Sequence, residues 1–226
     1  MRLLLALTLS LMGLGGSASA MTYRLARFDD GRCVERCPQA IVAEGTVQAD
    51  EPRRLAAFAA RAGAATGTVP STLLLHSPGG NLAGALRLGY GLRKLGLRTA
   101  VARVGRGSGD GAPRVGAGVC ASACVLVLMG GQERLVPSGS RVAVHAAKRA
   151  GNLTRDILGS GTIDPQVDDG SVLGLLYRYA RDMGVDPALM SLAQSVPHES
   201  ARILSPDEIS RFRLASVGPR PARRQR

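Results

Sequence analysis

The stretch Thr72-Leu73-Leu74-Leu75-His76-Ser77-Pro78-Gly79-Gly80 narrows the folds open to this chain more than any other. Three consecutive leucines make a continuous apolar run, as expected of a strand buried on both faces rather than one alternating between core and water. The run breaks at Pro78-Gly79-Gly80, a turn signal, and Asn81 stands where a helix N-cap is wanted. Leu82, Leu86, Gly89-Tyr90 and Arg93 then follow a 3.6-residue period, predicting a helix from Leu82 to Leu95 closed by Gly96. Arg98 to Val104 reads as the next strand. Strand, glycine turn, helix and strand form a βαβ unit, which implies a parallel pair joined by a right-handed crossover. The expected class is therefore α/β.

The flanking segments fit one such domain. Thr22 to Arg27 and Ala40 to Gln48 are strand-like, with Cys33 to Pro38 turning between them. Pro52 sits at the first turn of a helix whose Leu55, Ala56, Phe58 and Ala59 share one face, and Asp50 or Glu51 suits its positive end. Ala62 to Pro70 reads as a linker. Downstream, Ser122 to Met129 is an apolar helix, hydrophobic all round and so expected to be buried. Glu133 to Pro137 and Arg141 to Val144 are short strands. Ser171 to Met183 is amphipathic and stops at Gly184, Ala188 to Ala193 is a further short helix, and Ser205-Pro206-Asp207-Glu208 opens the last one with a capping-box pattern.

Residues 1–20 read as an export signal, not as fold: Arg2 is the positive region, Leu3 to Leu14 the apolar one, and Ala18-Ser19-Ala20 the cleavage site. A folded domain over 21–217 and a basic, Pro-containing tail over 218–226 complete the organisation. No later stretch approaches the roughly eighteen apolar residues of a membrane span, so no integral segment is expected after cleavage. The formal charge is +12. No helix-turn-helix, zinc-finger or aromatic RNA-binding pattern accompanies it, so it reads as a solvated arginine-rich surface and not as a nucleic-acid site. Gly105 to Gly118 is glycine-rich but lacks the G-K-[ST] ending of a phosphate loop, and reads as a mobile flap beside Ser122.

The 4 cysteines fall in two C-x3-C pairs, Cys33/Cys37 and Cys120/Cys124. In an oxidising compartment two short disulfides are the default, while a four-thiolate zinc site, a cysteine nucleophile and cross-pairing remain open on spacing alone. A bond across Cys120 and Cys124 would brace the turn that presents Ser122, and its reduction would loosen that turn.

Candidate chemistry gathers between Val119 and His145. A hydroxyl at a helix start (Ser122) and an imidazole at a strand end (His145) are two parts of a nucleophile–base pair, and the turn at Gly79-Gly80 offers an oxyanion donor. Lys148 offers a Ser–Lys variant. Four motifs occur in order: S-P-G-G at Ser77–Gly80, A-S-A at Ala121–Ala123, S-R-V-A-V-H at Ser140–His145, and L-S-P-D-E-I-S-R-F-R-L at Leu204–Leu214. Over Thr72 to Leu214 this order resembles the ClpP-like serine peptidases of the ClpP/crotonase superfamily, in an exported, periplasmic branch.

The resemblance implies a single-domain spiral of βαβ units, with peptide-bond hydrolysis and no cofactor or metal. It makes Ser122 the nucleophile, His145 the base, and the amides of Gly80 and Ala123 the oxyanion hole. Gly79 and His76 would border bound substrate, His76 standing where the family usually has Asn. The resemblance further implies a peptide or protein substrate and a homo-oligomer. One departure stands out: the family's acid position holds Ala201, leaving Glu199 or His198 as nearby substitutes. A catalytically silent scaffold that binds peptides or a protein partner in the same groove is the alternative.

Overall fold

The run that sets the class lies inside a sheet. β3 (Thr72–His76) is flanked by β2 (Gln39–Glu44) on one side and β4 (Arg98–Gly105) on the other, both parallel to it. The computed structural model describes residues 19–27, 38–105, 113–147 and 172–218. Beyond β4 the sheet continues through β7 (Arg134–Pro137) to β10 (Ser216–Gly218), again parallel, and β1 (Thr22–Arg27) closes the other edge antiparallel to β2. The result is a mixed α/β domain around a mostly parallel sheet, in agreement with the class expected from the leucine run.

Alternation along β3 divides the core. Leu73 and Leu75, both 0% exposed, face the larger apolar cluster, while Leu74 faces Ala40, Val42, Ala100 and Ala102 on the opposite side. Each of these leucines contributes on the order of 2 kcal/mol by burial, and β3 has no face that tolerates water. Helices α1 (Glu51–Thr66) and α2 (Leu82–Lys94) contribute Leu55, Leu86, Leu88 and Leu92 to the larger cluster.

A second, three-stranded sheet sits against the first. β6 (Val119–Ala121) runs parallel to β8 (Arg141–Val144), and β9 (Arg202–Ile203) runs antiparallel to β8. Ser77 joins the two sheets: its N–H donates to Val119 O at 2.8 Å and its carbonyl accepts from Ala121 N at 3.0 Å. Its buried hydroxyl accepts the Gly79 amide at 3.1 Å. β6 is thereby fixed at the carboxyl end of β3, the end at which open α/β sheets present their sites.

Several expected boundaries shift, each for a local reason. The strand expected over Ala40 to Gln48 breaks at Gly45, whose φ of 115° turns the chain, although Thr46 and Val47 still make isolated bridges. The expected linker from Ala62 is instead the last turn of α1: Ala62 is buried, alanines favour helix, and the left-handed Gly67 ends it with its N–H on Gly63 O at 2.8 Å. Within the expected flap, Arg114–Ala117 forms β5 along β4, placing Val115 on the smaller apolar cluster, while residues 106–112 lie outside the described residues. The helix α3 (Ala123–Met129) is buried throughout but starts after Ser122, not at it.

The C-terminal third closes over α3. Tyr179 of α4 (Val172–Asp182) donates its hydroxyl to Leu126 O at 2.6 Å, and burial raises that hydroxyl's pKa above its ordinary value. After α5 (Ala188–Ser195), Ser205 caps α6 (Pro206–Arg211) in a full capping box: Ser205 Oγ accepts Glu208 N at 3.1 Å and Glu208 accepts Ser205 N at 2.9 Å. The α2 cap predicted at Asn81 is present, its side chain accepting Gly84 N at 2.8 Å. Among the described residues, no helix is long and apolar enough to cross a membrane.

Candidate active site

Ser122 joins β6 to α3 in a conformation that a serine rarely adopts, φ 55° and ψ −126°. An L-residue there costs about 1–3 kcal/mol, and such strain persists only where the surroundings dictate it. Three constraints do so. Ser122 N donates to Ala143 O at 2.9 Å, tying the residue to β8. Ser122 O accepts Val125 N at 2.9 Å, starting α3. The third constraint is covalent: Cys120 in β6 and Cys124 in α3 form a disulfide, with Cα atoms 5.2 Å apart across the elbow. Both cysteines are completely buried.

The elbow projects Ser122 into a cavity of about 300 Å³. His145, directly after β8, lines the same cavity because β8 runs parallel to β6 and both strands deliver their ends to one side. The apolar part of the wall comes from Leu82, Val125, Leu126, Leu176, Met190 and Ala193. Among the described residues, Ser122 Oγ makes no hydrogen bond, so serine and histidine share the cavity without being bonded to each other. Catalytic hydrogen bonds are often loose before substrate binds.

The tautomer of His145 follows from its partner. Its Nδ1 lies 2.9 Å from Ala146 O, and a carbonyl only accepts, so Nδ1 carries the hydrogen and Nε2 is left as the basic nitrogen. His198 makes the same contact, Nδ1 to Ala146 O at 3.0 Å, and its ring stands edge-on to His145 with centroids 4.7 Å apart. The Ala146 amide in turn donates to Val196 O at 2.9 Å. One residue, Ala146, thus links the exit of β8 to the loop carrying His198 through both its N–H and its carbonyl.

The glycine turn packs directly on the elbow. Gly79 has φ 108°, and a Cβ there would lie 2.7 Å from both Ala121 O and Ser122 Cβ. Gly80, at φ 138°, would drive a Cβ into the backbone of Val47. Both positions exclude any side chain by conformation and by space. Gly80 lines the cavity with Ser122 and Ala123. Among the described residues, the amides of Gly80 and of Ala123, the first residue of α3, have no acceptor, as an oxyanion hole requires.

The remaining candidates separate cleanly. His76 Nδ1 accepts Val119 N at 3.1 Å, so this histidine holds β6 against the end of β3. Glu199 is exposed and makes no hydrogen bond or ion pair among the described residues. Ala201 lies next to β9: extending the pairs Ala143↔Ile203 and Val144↔Arg202 by one residue sets Ala201 across from His145. Among the described residues, no carboxylate hydrogen-bonds to His145. Cys33, Cys37, Lys148, the expected signal up to residue 18 and the basic tail from residue 219 lie outside the described residues. The described residues contain no group of three or more His, Cys, Asp or Glu placed to hold a metal ion.

Two contributors escape sequence reading. The Ala146 carbonyl has no side-chain signature. Ser77 carries a faint one, as a serine two residues before a glycine whose amide it can accept. No family model matches the chain, and no curated protein matches it. Among solved structures it is similar to a ClpP1 mutant from Listeria monocytogenes, at 12% identity and a TM-score of 0.49, over 79% of this chain and 90% of that one.

Proposed function

We propose that this chain is an exported ClpP-like serine peptidase that cleaves peptide bonds through an acyl-enzyme on Ser122, without cofactor. The observation that carries the reading is the strained Ser122 elbow, opening into one cavity with His145 and with Gly80 and Ala123, whose amides have no acceptor among the described residues. Strain at a single non-glycine residue, held by a disulfide and two backbone bonds, is what presents a nucleophile clear of its neighbours.

Ser122 Oγ attacks the scissile carbonyl carbon as its proton passes to His145 Nε2. The carbonyl electron pair moves onto oxygen, which accepts the N–H groups of Gly80 and Ala123. His145 then returns the proton to the leaving nitrogen as the C–N bond breaks. Water, deprotonated by the same Nε2, repeats the sequence and frees Ser122. The Nδ1–H of His145 stays on Ala146 O throughout, which keeps Nε2 the basic atom. The apolar wall suits a peptide with a medium-sized apolar side chain next to the scissile bond. Homo-oligomer formation through α4 belongs to the same proposal.

A scaffold reading has its own support: no carboxylate stands at Ala201, and Ser122 Oγ has no partner among the described residues. Hydrolysis of a fluorogenic peptide panel differing only in the residue before the scissile bond separates the two. The peptidase reading expects turnover for leucine, methionine or phenylalanine, abolished in Ser122→Ala. A chain that binds these peptides and never cleaves them is a scaffold.

A further inference from the structure

The mechanism above gives His198 no task, although its ring stands against that of the proposed base. Its ring stands edge-on to His145 at 4.7 Å, and both Nδ1 atoms rest on the oxygen of Ala146, at 2.9 Å for His145 and 3.0 Å for His198. A carbonyl oxygen has two lone pairs and therefore holds both N–H donors at once. The loop carrying His198 is pinned to the same residue, since Ala146 N–H donates to Val196 O at 2.9 Å. Among the described residues, the titratable groups lining the cavity are these two histidines, while Asn81 and Gln194 add neutral polar surface. Arg202, across from Val144, is already paired with Glu208 Oε1 at 2.6 Å.

We propose that His198 is a positioning residue that replaces the absent carboxylate: with Ala146 O it fixes the ring plane and tautomer of His145. A carboxylate in this role orients the imidazole and supports the charge that forms on it. Here the carbonyl supplies the acceptor, and the Nδ1–H of His198, using that oxygen's other lone pair, keeps the carbonyl aimed at His145. Because the carbonyl is neutral, this arrangement is weaker than a charged triad. The inference rests on the serine-peptidase reading of the site and adds the residue that makes a base of His145 without an acid.

The test uses a fluorophosphonate probe on the full exported chain, measuring the maximal rate of Ser122 modification separately from the apparent affinity for the probe. His198→Ala is expected to slow the maximal rate about tenfold or more, the loss that follows from one orienting hydrogen bond, with affinity changed less than about threefold. His198→Asn is the conservative variant. Asparagine Nδ2 is attached to Cγ as histidine Nδ1 is, so it can still donate to Ala146 O, and its rate should stay within about threefold of wild type. A His198→Ala rate equal to wild type overturns the proposal. So does a slow His198→Ala accompanied by an equally slow His198→Asn, which would mark the residue as packing only. Wild-type chain that takes up no probe at Ser122 overturns the peptidase reading together with this one, whereas normal wild-type labelling confines the failure to His198.

Discussion

Replacing Ser122 by glycine rather than alanine isolates the backbone strain from the chemistry. Both substitutions remove the hydroxyl, which makes no hydrogen bond among the described residues, and glycine gives up in addition only the Cβ. They differ in how readily they accept φ 55° and ψ −126°. Alanine bears the full cost of that conformation, about 1–3 kcal/mol, whereas glycine bears almost none. Glycine also gives the unfolded chain more freedom, which offsets the gain by about 0.5–1 kcal/mol. The net expectation is that Ser122→Gly is more stable than Ser122→Ala by about 0.5–2 kcal/mol. For a domain of this size, that corresponds to roughly 2–6 °C in Tm by calorimetry or circular dichroism. Equal stability, or a less stable glycine variant, would refute the strained-elbow account, because it would mean the residue occupies an ordinary conformation in solution.

Gly79→Ala should cost more than a typical surface change, about 2–4 kcal/mol by urea titration, since its Cβ meets the backbone at Ala121 and the Cβ of Ser122 at 2.7 Å and the residue has φ 108°. An unchanged midpoint would mean the turn does not seat on the elbow. Ala201→Asp, set across from His145 by the β8–β9 register, should raise the rate of Ser122 modification at least about tenfold; a carboxylate in that role is worth up to about 10⁴. No gain would show that the register does not bring the two residues together. Brief exposure of the folded chain to a mild dithiol should leave both thiols unavailable to alkylation, because Cys120 and Cys124 are fully buried, so fast redox control through this bond is not expected. The Glu208 carboxyl is held below its usual range, chiefly by the Ser205 N–H, with Arg202 adding to it. Stability from this cap is therefore present above the ordinary carboxylate range and fades as pH falls through the lowered folded value. Glu208→Ala should lower Tm by about 1–3 °C at neutral pH and by nothing near pH 2.

Much of the scaffold was legible because its signals are local. Leu73–Leu75, Pro78-Gly79-Gly80 and Asn81 specify a buried strand, a turn and a cap within a dozen residues, and each appears where the pattern places it. Ser205 and Glu208 satisfy each other across three residues, and that cap is equally readable. The short strands β5, β6, β9 and β10 were not legible. Their residues, Arg114–Ala117 among them, have no apolar alternation, and their pairing depends on partners far along the chain. At the site, sequence pattern singles out Ser122 and His145, while the missing acid at Ala201 follows only from the family resemblance. The pattern places Ser122 inside a helix, because nothing in A-S-A declares a positive φ. The dihedral arises only when β6, β8 and the disulfide converge on one residue. The Ala146 carbonyl was beyond reach for a simpler reason: every residue has one, and only the fold selects which of them meets two imidazoles.

The central claim is that Ser122 is an activated nucleophile served by His145. Peptide mapping by mass spectrometry after fluorophosphonate treatment tests it most directly. The account predicts one adduct, on Ser122, slowed by at least about a hundredfold in His145→Ala and absent after denaturation. An unmodified Ser122, or modification at the same rate without His145, would contradict it.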